Sequence, residues 1–528
     1  AAPAQGYFQP AGAATGTNSH SCSGKWSGNF MNWATMQTID PFRWALTGGY
    51  RSVDAVGNTV LEKAWGSAQG SQSNFPLRGT SAGSGHKLAS GLIASVTPFA
   101  WSAFNMSIWK RGNRLVFSGT NSAYSDTSKN GADWVGTTTQ NDAGSVYQVY
   151  VRVKVCDPST GTGGVEANCV KYGSNYKPEG LMQQYASKIR YSAFSYLYTS
   201  DGNTQGGVMR AAMGFIGPTY PQPLSTTVVT NPKAEWDPTT GVMTPNPDST
   251  LDSTVTNSGA MNYLNKFGQS AQAYMTYDNV SELYYAVLRY FENLGNVPEW
   301  TANLNATKRD GFPAPTSWAG KDPISYSCQK NFVLGIGDDN THFDVNTGGG
   351  TLTKSGRTKP PLVASDSFNQ SQTWTRAIET LEGLTGRNAA WADQGSEYIA
   401  GLAYGAHVLD IRPDLTGTQT LSTYWMDVME YQYALDRNPY WLATKYGGFS
   451  VPSGYDIATT TPLAQSAWNS SGDTINMNGT TRPRPDNYFL AGNAALMVAG
   501  LKAAFTNIAN AIKAFTTSYS LASAAVQS

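Results

Sequence analysis

Apolar residues recur at helical spacing between Gly28 and Leu46 (Phe30, Trp33, Met36, Ile39), with Pro41 and Phe42 inside the stretch and Gly48-Gly49 after it. That spacing gathers apolar side chains on one helical face, and a glycine pair stops a helix, so one or two packed helices are predicted. From Asn74 to Cys156 the period shortens. Met106 and Ile108, the polar run Lys110-Arg111-Gly112-Asn113, then Leu115 and Phe117 predict two short strands around a turn. Val149, Val151, Val153 and Val155 alternate with Tyr150, Arg152 and Lys154, the period of a strand with one buried and one wet face.

Further along, helix and strand patterns alternate. Pro178 to Ala186 starts like a helix, and Ile189 to Leu197 and Gly207 to Ile216 read as strands around a turn at Asp201-Gly202-Asn203. Pro218 to Thr256 has little periodicity and is expected to be a surface insertion. Tyr277 to Leu294 carries Val280, Leu283, Tyr284, Val287, Leu288 and Phe291 on one face and stops at Gly295, the clearest helix of the chain. Asn331 to Ile336 is a continuous apolar run ending in Gly337-Asp338-Asp339, as in a central strand whose carboxyl end carries a polar loop. Ser396 to Leu409 is a helix, Thr420 to Val428 a strand, and Ala494 to Phe515 a terminal helix striped by Leu496, Leu501, Phe505, Ile508 and Ile512. Such alternation predicts an α/β sheet with helices on both faces and large loops between.

Composition narrows the setting. Only 14% of the 528 residues are charged, against about 25% in an average globular protein, while 54 glycines and 12% aromatics point to a loop-rich, non-cytosolic chain. Formal net charge is zero, so no long-range field steers the protein to nucleic acid or anionic lipid. The longest apolar runs, such as Ala494 to Leu501, fall short of the roughly 20 residues that span a bilayer, and no membrane insertion is expected. Ala1-Ala2-Pro3-Ala4 lacks the charged and apolar regions of a signal peptide, as in a processed chain or a fragment. Of four cysteines, Cys156 and Cys169 close a short loop suited to a disulfide, with free thiols as the alternative; Cys22 and Cys328 would then be left to pair over a long separation.

The string Gly28-Asn29-Phe30-Met31-Asn32-Trp33-Ala34-Thr35-Met36, with Asp40 and Thr47-Gly48-Gly49-Tyr50-Arg51 after it, resembles the type IV pilus tip-associated proteins of the PilC/PilY kind. Asn168-Cys169-Val170-Lys171-Tyr172-Gly173, Ser281-Glu282-Leu283-Tyr284-Tyr285, Cys328-Gln329-Lys330-Asn331-Phe332, Tyr446-Gly447-Gly448-Phe449 and Arg484-Pro485-Asp486-Asn487-Tyr488-Phe489 extend the likeness over nearly the whole chain. The resemblance implies a von Willebrand factor A-like doubly wound sheet with large insertions. Residues 1–73 would be its N-terminal helical segment, 74–156 an inserted β-rich subdomain, and 157–528 the remainder, with long loops at about 218–256 and 340–372. It also implies secretion to the Gram-negative cell surface at the pilus tip, with minor pilins and a host-cell or abiotic surface receptor as partners. Adhesion and pilus assembly, without catalysis, would be the function.

An A-type domain normally opens with a strand ending in Asp-x-Ser-x-Ser, which supplies hard oxygen ligands to Mg²⁺ or Ca²⁺. That motif is absent from this sequence. Of the remaining corners of such a metal site, Thr276 or Ser281 matches the threonine and Asp338 the aspartate. Asp338, Asp339, Asn340 and Asp344 cluster oxygen atoms after the apolar run, and a solvated acidic loop is the plainer account of them. No His-Glu-x-x-His helix or phosphate-binding glycine loop occurs. His342 beside the acidic loop leaves an extracellular hydrolase as one alternative, and a structural fibre subunit as another. His407, on a helix of small residues, reads as structural, and Trp101, Trp109 and Trp134 are candidates for exposed aromatic contacts.

Overall fold

The computed structural model describes all residues except 1–5, 18–19, 66–77, 109–112, 121–130, 137, 161–163, 200–204, 223–224, 226, 272–273, 276, 338–340, 354–355, 385–394, 430–437, 478 and 527–528. The chain is mixed α/β with several small sheets, and it divides into two compact units. The first comprises residues 1–184, 234–245 and 261–274, and the second residues 185–233, 246–260 and 275–528.

In the first unit, helices α1 (Gly28–Thr35) and α2 (Ile39–Thr47) precede the hairpin β1 (Arg51–Ala55) and β2 (Asn58–Glu62). Next come β3 (Arg78–Gly79), α3 (Ile93–Val96), β4 (Asn105–Ile108), β5 (Arg114–Ser118), β6 (Ala132–Asp133), β7 (Tyr147–Tyr150), β8 (Arg152–Val155), β9 (Cys169–Tyr172), β10 (Asn175–Pro178), α4 (Leu181–Gln184) and α5 (Ala260–Lys266). Ser27 caps α1 by accepting the Phe30 N–H, and Phe30, Met31 and Ala34 form its buried face. Trp33 and Met36, expected on that face, are 36% and 37% exposed: Trp33 turns away from the face made by Phe30, Met31, Ala34 and Thr35, and Met36, past the end of α1, is already extended. The hairpin predicted around residues 110–113 pairs Asn105 with Ser118 and Ile108 with Leu115. It belongs to a five-stranded sheet, order β3-β4-β5-β7-β6. Met106, Leu115 and Phe117 of this sheet, with Phe104 just before β4, pack with α1 in one apolar core, each contributing about 1.5–3 kcal/mol by leaving water.

The strand predicted over Val149 to Val155 is two strands. Val151 separates β7, in the five-stranded sheet, from β8, which pairs with β2 in a three-stranded sheet of order β1-β2-β8. Val153 is accordingly 38% exposed although Val149 is buried. Cross-strand chemistry fixes the second pairing, since Arg152 lies opposite Glu62 and bonds its carboxylate at 2.5 Å.

In the second unit, the hairpin β11 (Tyr191–Ser195) and β12 (Val208–Gly214) and the short hairpin β13 (Thr219–Pro221) and β14 (Val228–Thr230) come first. They are followed by α6 (Val280–Phe291), α7 (Ala306–Arg309), β15 (Asn331–Gly337), α8 (Pro361–Ala364), α9 (Ser371–Leu381), α10 (Tyr398–Val408), β16 (Leu421–Asp427), α11 (Pro439–Tyr446), β17 (Thr474–Met477), β18 (Thr480–Pro483), β19 (Tyr488–Leu490) and α12 (Ala494–Val526). Strands β15, β16 and β19 are parallel, in that order, with Asn331 opposite Leu421 and Trp425 opposite Tyr488. The apolar run of residues 331–336, expected at the centre, is therefore an edge of the described sheet, half-buried along most of its length, and β16 is central.

Helices lie against both faces of this sheet. Trp425 stacks on Tyr440 of α11 with centroids 4.2 Å apart, and it lies across Gly335, where a Cβ would come within 1.9 Å of its ring. The next side chain, Met426, points the other way by the strand pleat and meets Gly500 of α12. Residues Ala494–Lys513 of α12 are, by length and composition, apolar enough to cross a membrane, a property hidden from contiguous runs by Lys502, Asn507 and Asn510. Met497, Leu501, Ala504, Phe505 and Ile508 are buried all the same.

Candidate functional site

Loops leaving the carboxyl ends of parallel strands are where open α/β sheets gather ligands. In the second unit those ends are Gly337, Asp427 and Leu490. The chain leaving β15 reaches Asp344, whose side chain is wholly buried. Asp344 Oδ2 accepts the Ser281 hydroxyl at 2.5 Å and the Ser396 hydroxyl at 3.1 Å, and Oδ1 accepts the Glu282 N–H at 3.0 Å. The first N–H groups of a helix have no partner within it. Asp344 thus satisfies one at the start of α6, and the Ser281 hydroxyl accepts the Ile399 N–H at 2.9 Å at the start of α10.

Glu282, also wholly buried, completes the joint. Its Oε1 accepts the N–H groups of Val345 (3.2 Å) and Asn346 (2.8 Å). Its Oε2 accepts those of Gly206 (2.6 Å) and the Asn279 amide (2.9 Å). The Arg357 guanidinium stands 3.6 Å away. Burial pushes the Asp344 carboxyl up to about 8; the Ser281 hydroxyl pulls against that shift, and the Glu282 carboxylate adds to it. Burial also raises Glu282, opposed by Arg357 and by the N–H groups of Gly206 and Asn346.

At the end of β16, Asp427 Oδ2 accepts the Tyr488 hydroxyl (2.6 Å) and the Asn438 amide (2.7 Å), and Oδ1 accepts the Met429 N–H (2.8 Å). Asn438 Oδ1 in turn caps α11 through the N–H groups of Tyr440 and Trp441. Every carboxylate in this set is engaged by donors from this chain. The arrangement locks loops onto helix starts.

Of the expected cation ligands, Asp338 and Thr276 lie outside the described residues, as do Trp109 and the turns at 110–112 and 201–203. Ser281 gives its proton to Asp344 and a lone pair to Ile399, so a cation taking this oxygen would compete with both bonds. His342 Nδ1 pairs with Asp278 at 3.0 Å, and its ring lies against Tyr277. His407 is buried between the carbonyls of Leu421 (2.9 Å) and Phe449 (2.7 Å). In the first unit, Trp101 stacks on Phe99 at 4.0 Å and Trp134 sets its edge on Trp26, so both rings are half-buried in the aromatic core. Cys156 and Cys169 are bonded. Cys22, in the first unit, and Cys328, in the second, are free thiols, half-buried and exposed.

Sequence reasoning missed Glu282, Ser396, Asp427 and Asn438. Asn438-Pro439 carried a usable signal, a capping side chain followed by proline at the first helical position. Glu282 sits among apolar helix positions and gives none.

The family described as "PilY1 homolog, small alpha/beta domain" matches residues 3–82. A protein of Xylella fastidiosa named "Type IV pilus biogenesis factor PilY1 homolog" is 41% identical over 99% of this chain, and the chain spans 45% of that relative's length. A second protein of the same name and organism is 29% identical over 39% of this chain and 15% of its own length. No solved structure matches the chain.

Proposed function

Because the chain belongs to the PilY1-like family, we infer that it acts in type IV pilus biogenesis, as a secreted, non-enzymatic component of the pilus tip. There it would assemble on minor pilins and adhere to host or abiotic surfaces. Identity of 41% along essentially the whole chain to a named pilus biogenesis factor carries this inference. The von Willebrand factor A-like architecture belongs to the same proposal, supported by three parallel strands with helices against both faces.

A non-enzymatic role is supported by the chemistry of the sheet rim. Ser281, on α6, is buried and bonded to Asp344 and Ile399, and His342 pairs with Asp278. Divalent-cation binding by Asp338, Thr276 and Ser281 is a separate proposal, for which calorimetric titration of Mg²⁺ and Ca²⁺ is the test; absence of saturable heat removes it.

Deletion of the gene and gold labelling of sheared pili test the function. Loss of surface pili on deletion, with label confined to one end of each filament in the parent, is expected. Normal piliation after deletion would refute the biogenesis role, and label spaced along the shaft would replace the tip component by a fibre subunit.

A further inference from the structure

Among the described residues, one group of three ligand-type side chains lies close enough to share an ion, in the first unit. Sγ of Cys156, Sγ of Cys169 and a carboxylate oxygen of Glu166 all lie within 4.8 Å of one another. Cys156 follows the end of β8 and Cys169 opens β9, and their Cα atoms are 5.6 Å apart. Glu166 Oε2 accepts the Cys156 N–H at 2.8 Å and lies 3.3 Å from Cys169 Sγ. A disulfide sulfur has no proton to give, so in the bonded state the peptide N–H alone aims this carboxylate at the sulfur pair.

We propose that reduction of the Cys156–Cys169 bond by a dithiol turns this corner into a Zn²⁺ site, with both thiolates and the Glu166 carboxylate as ligands and water in the fourth position. The reductant supplies two electrons and two protons and is itself closed to a disulfide, while Cys156 and Cys169 become thiols. Zn²⁺ then displaces both thiol protons to solvent. Tetrahedral zinc with Zn–S near 2.3 Å holds two sulfurs about 3.8 Å apart. Side-chain rotation reaches that separation from a 5.6 Å Cα spacing, leaving β8 and β9 in place. Thiolate pairs select zinc over Mg²⁺ and Ca²⁺. Glu166 is exposed and Cys169 half-buried, which opens a path for the ion. Lys154, the nearest cation along β8, is committed to Asp157 at 2.5 Å and does not neutralise the thiolates.

The test uses the full chain, oxidised and reduced, with Zn²⁺ titrated against a chromophoric chelator and thermal melting followed in parallel. One equivalent of Zn²⁺ should bind the reduced protein and none the oxidised one, and Zn²⁺ should raise the melting temperature of the reduced protein. Glu166→Gln should weaken binding by about tenfold or more, and the double variant Cys156→Ser, Cys169→Ser should abolish it. Stoichiometric binding to the oxidised protein, equal affinity in Glu166→Gln, or a reduced protein whose melting ignores Zn²⁺ would each overturn the proposal.

Discussion

Asp344 joins three segments through one carboxyl, so two substitutions there separate its bonding from its bulk. Asp344→Ala removes the acceptor of the Ser281 and Ser396 hydroxyls and of the Glu282 N–H, all in a side chain with no exposure. The two hydroxyls, 3.3 Å apart, can partly satisfy each other, but the peptide N–H cannot turn. One stranded buried donor costs about 1–3 kcal/mol, and the lost bonds and the cavity bring the expected total to roughly 3–5 kcal/mol. Asp344→Asn keeps the shape and the acceptor for Glu282. It copies the neutral acid that burial favours below about pH 8, so its cost should stay under about 1.5 kcal/mol. Urea unfolding gives both values, and hydrogen exchange at the Glu282 amide reports the bond itself. Equal destabilisation by the two variants, or a Glu282 amide as protected in Asp344→Ala as in the parent, would refute the joint.

Further outcomes can be measured. Replacing Cys156 and Cys169 by alanine opens a loop with a sequence separation of 13 residues and should cost the first unit about 3 kcal/mol by loop entropy, read by calorimetry. In Gly401→Ala the new Cβ would stand 2.3 Å from the Ser371 carbonyl oxygen, forcing α10 from α9, so the urea midpoint should fall by the equivalent of about 1–3 kcal/mol. Glu292 is raised to about 8 by burial, with the Asn369 amide opposing and the Asp366 carboxylate adding. The folded state therefore binds more protons than the unfolded one between about pH 4.5 and 8, and stability falls as pH rises through that window, by up to about 1.4 kcal/mol per unit. Asp344, likewise raised to about 8, adds to the slope in this window, so Glu292→Gln should make the slope shallower without abolishing it and be the more stable protein at pH 9; an unchanged slope would remove Glu292 as one of its sources.

Elements were legible where one period ruled. The α6 stripe and the hairpin around residues 110–113 follow directly from spacing. The break at Val151 was not, because both halves of the valine alternation fit a strand, and only the opposition of Arg152 to Glu62 assigns β8 to a second sheet. The place of β15 failed for a related reason. A continuous apolar run signals burial on both faces, but edge position depends on which strands come alongside, and strand order is a property of crossovers, not of the run. At the site, hydrophobicity worked against detection. Ser281, Glu282 and Arg289 occupy turns of α6 whose neighbours are apolar, and they are buried only because Asp344, the 345–346 backbone, and the Gly295 and Leu294 carbonyls receive them.

The same pairings explain why this sheet rim joins segments and leaves no binding face at these groups. A helix start needs donors satisfied, and a nearby side chain at the capping position is the cheapest means. Here α6 and α10 have no side-chain cap bond from their own N-cap residues. The missing acceptors come from Asp344, 62 positions from Glu282, and from Ser281, 118 positions from Ile399. Each such bond closes a long loop and forms only when the tertiary fold brings its ends together, so the helix starts, the loop after β15 and the start of α10 are expected to open together under denaturant. A ligand taking the oxygens of Asp344, Ser281 or Asp427 would have to outcompete bonds that hold the second unit together.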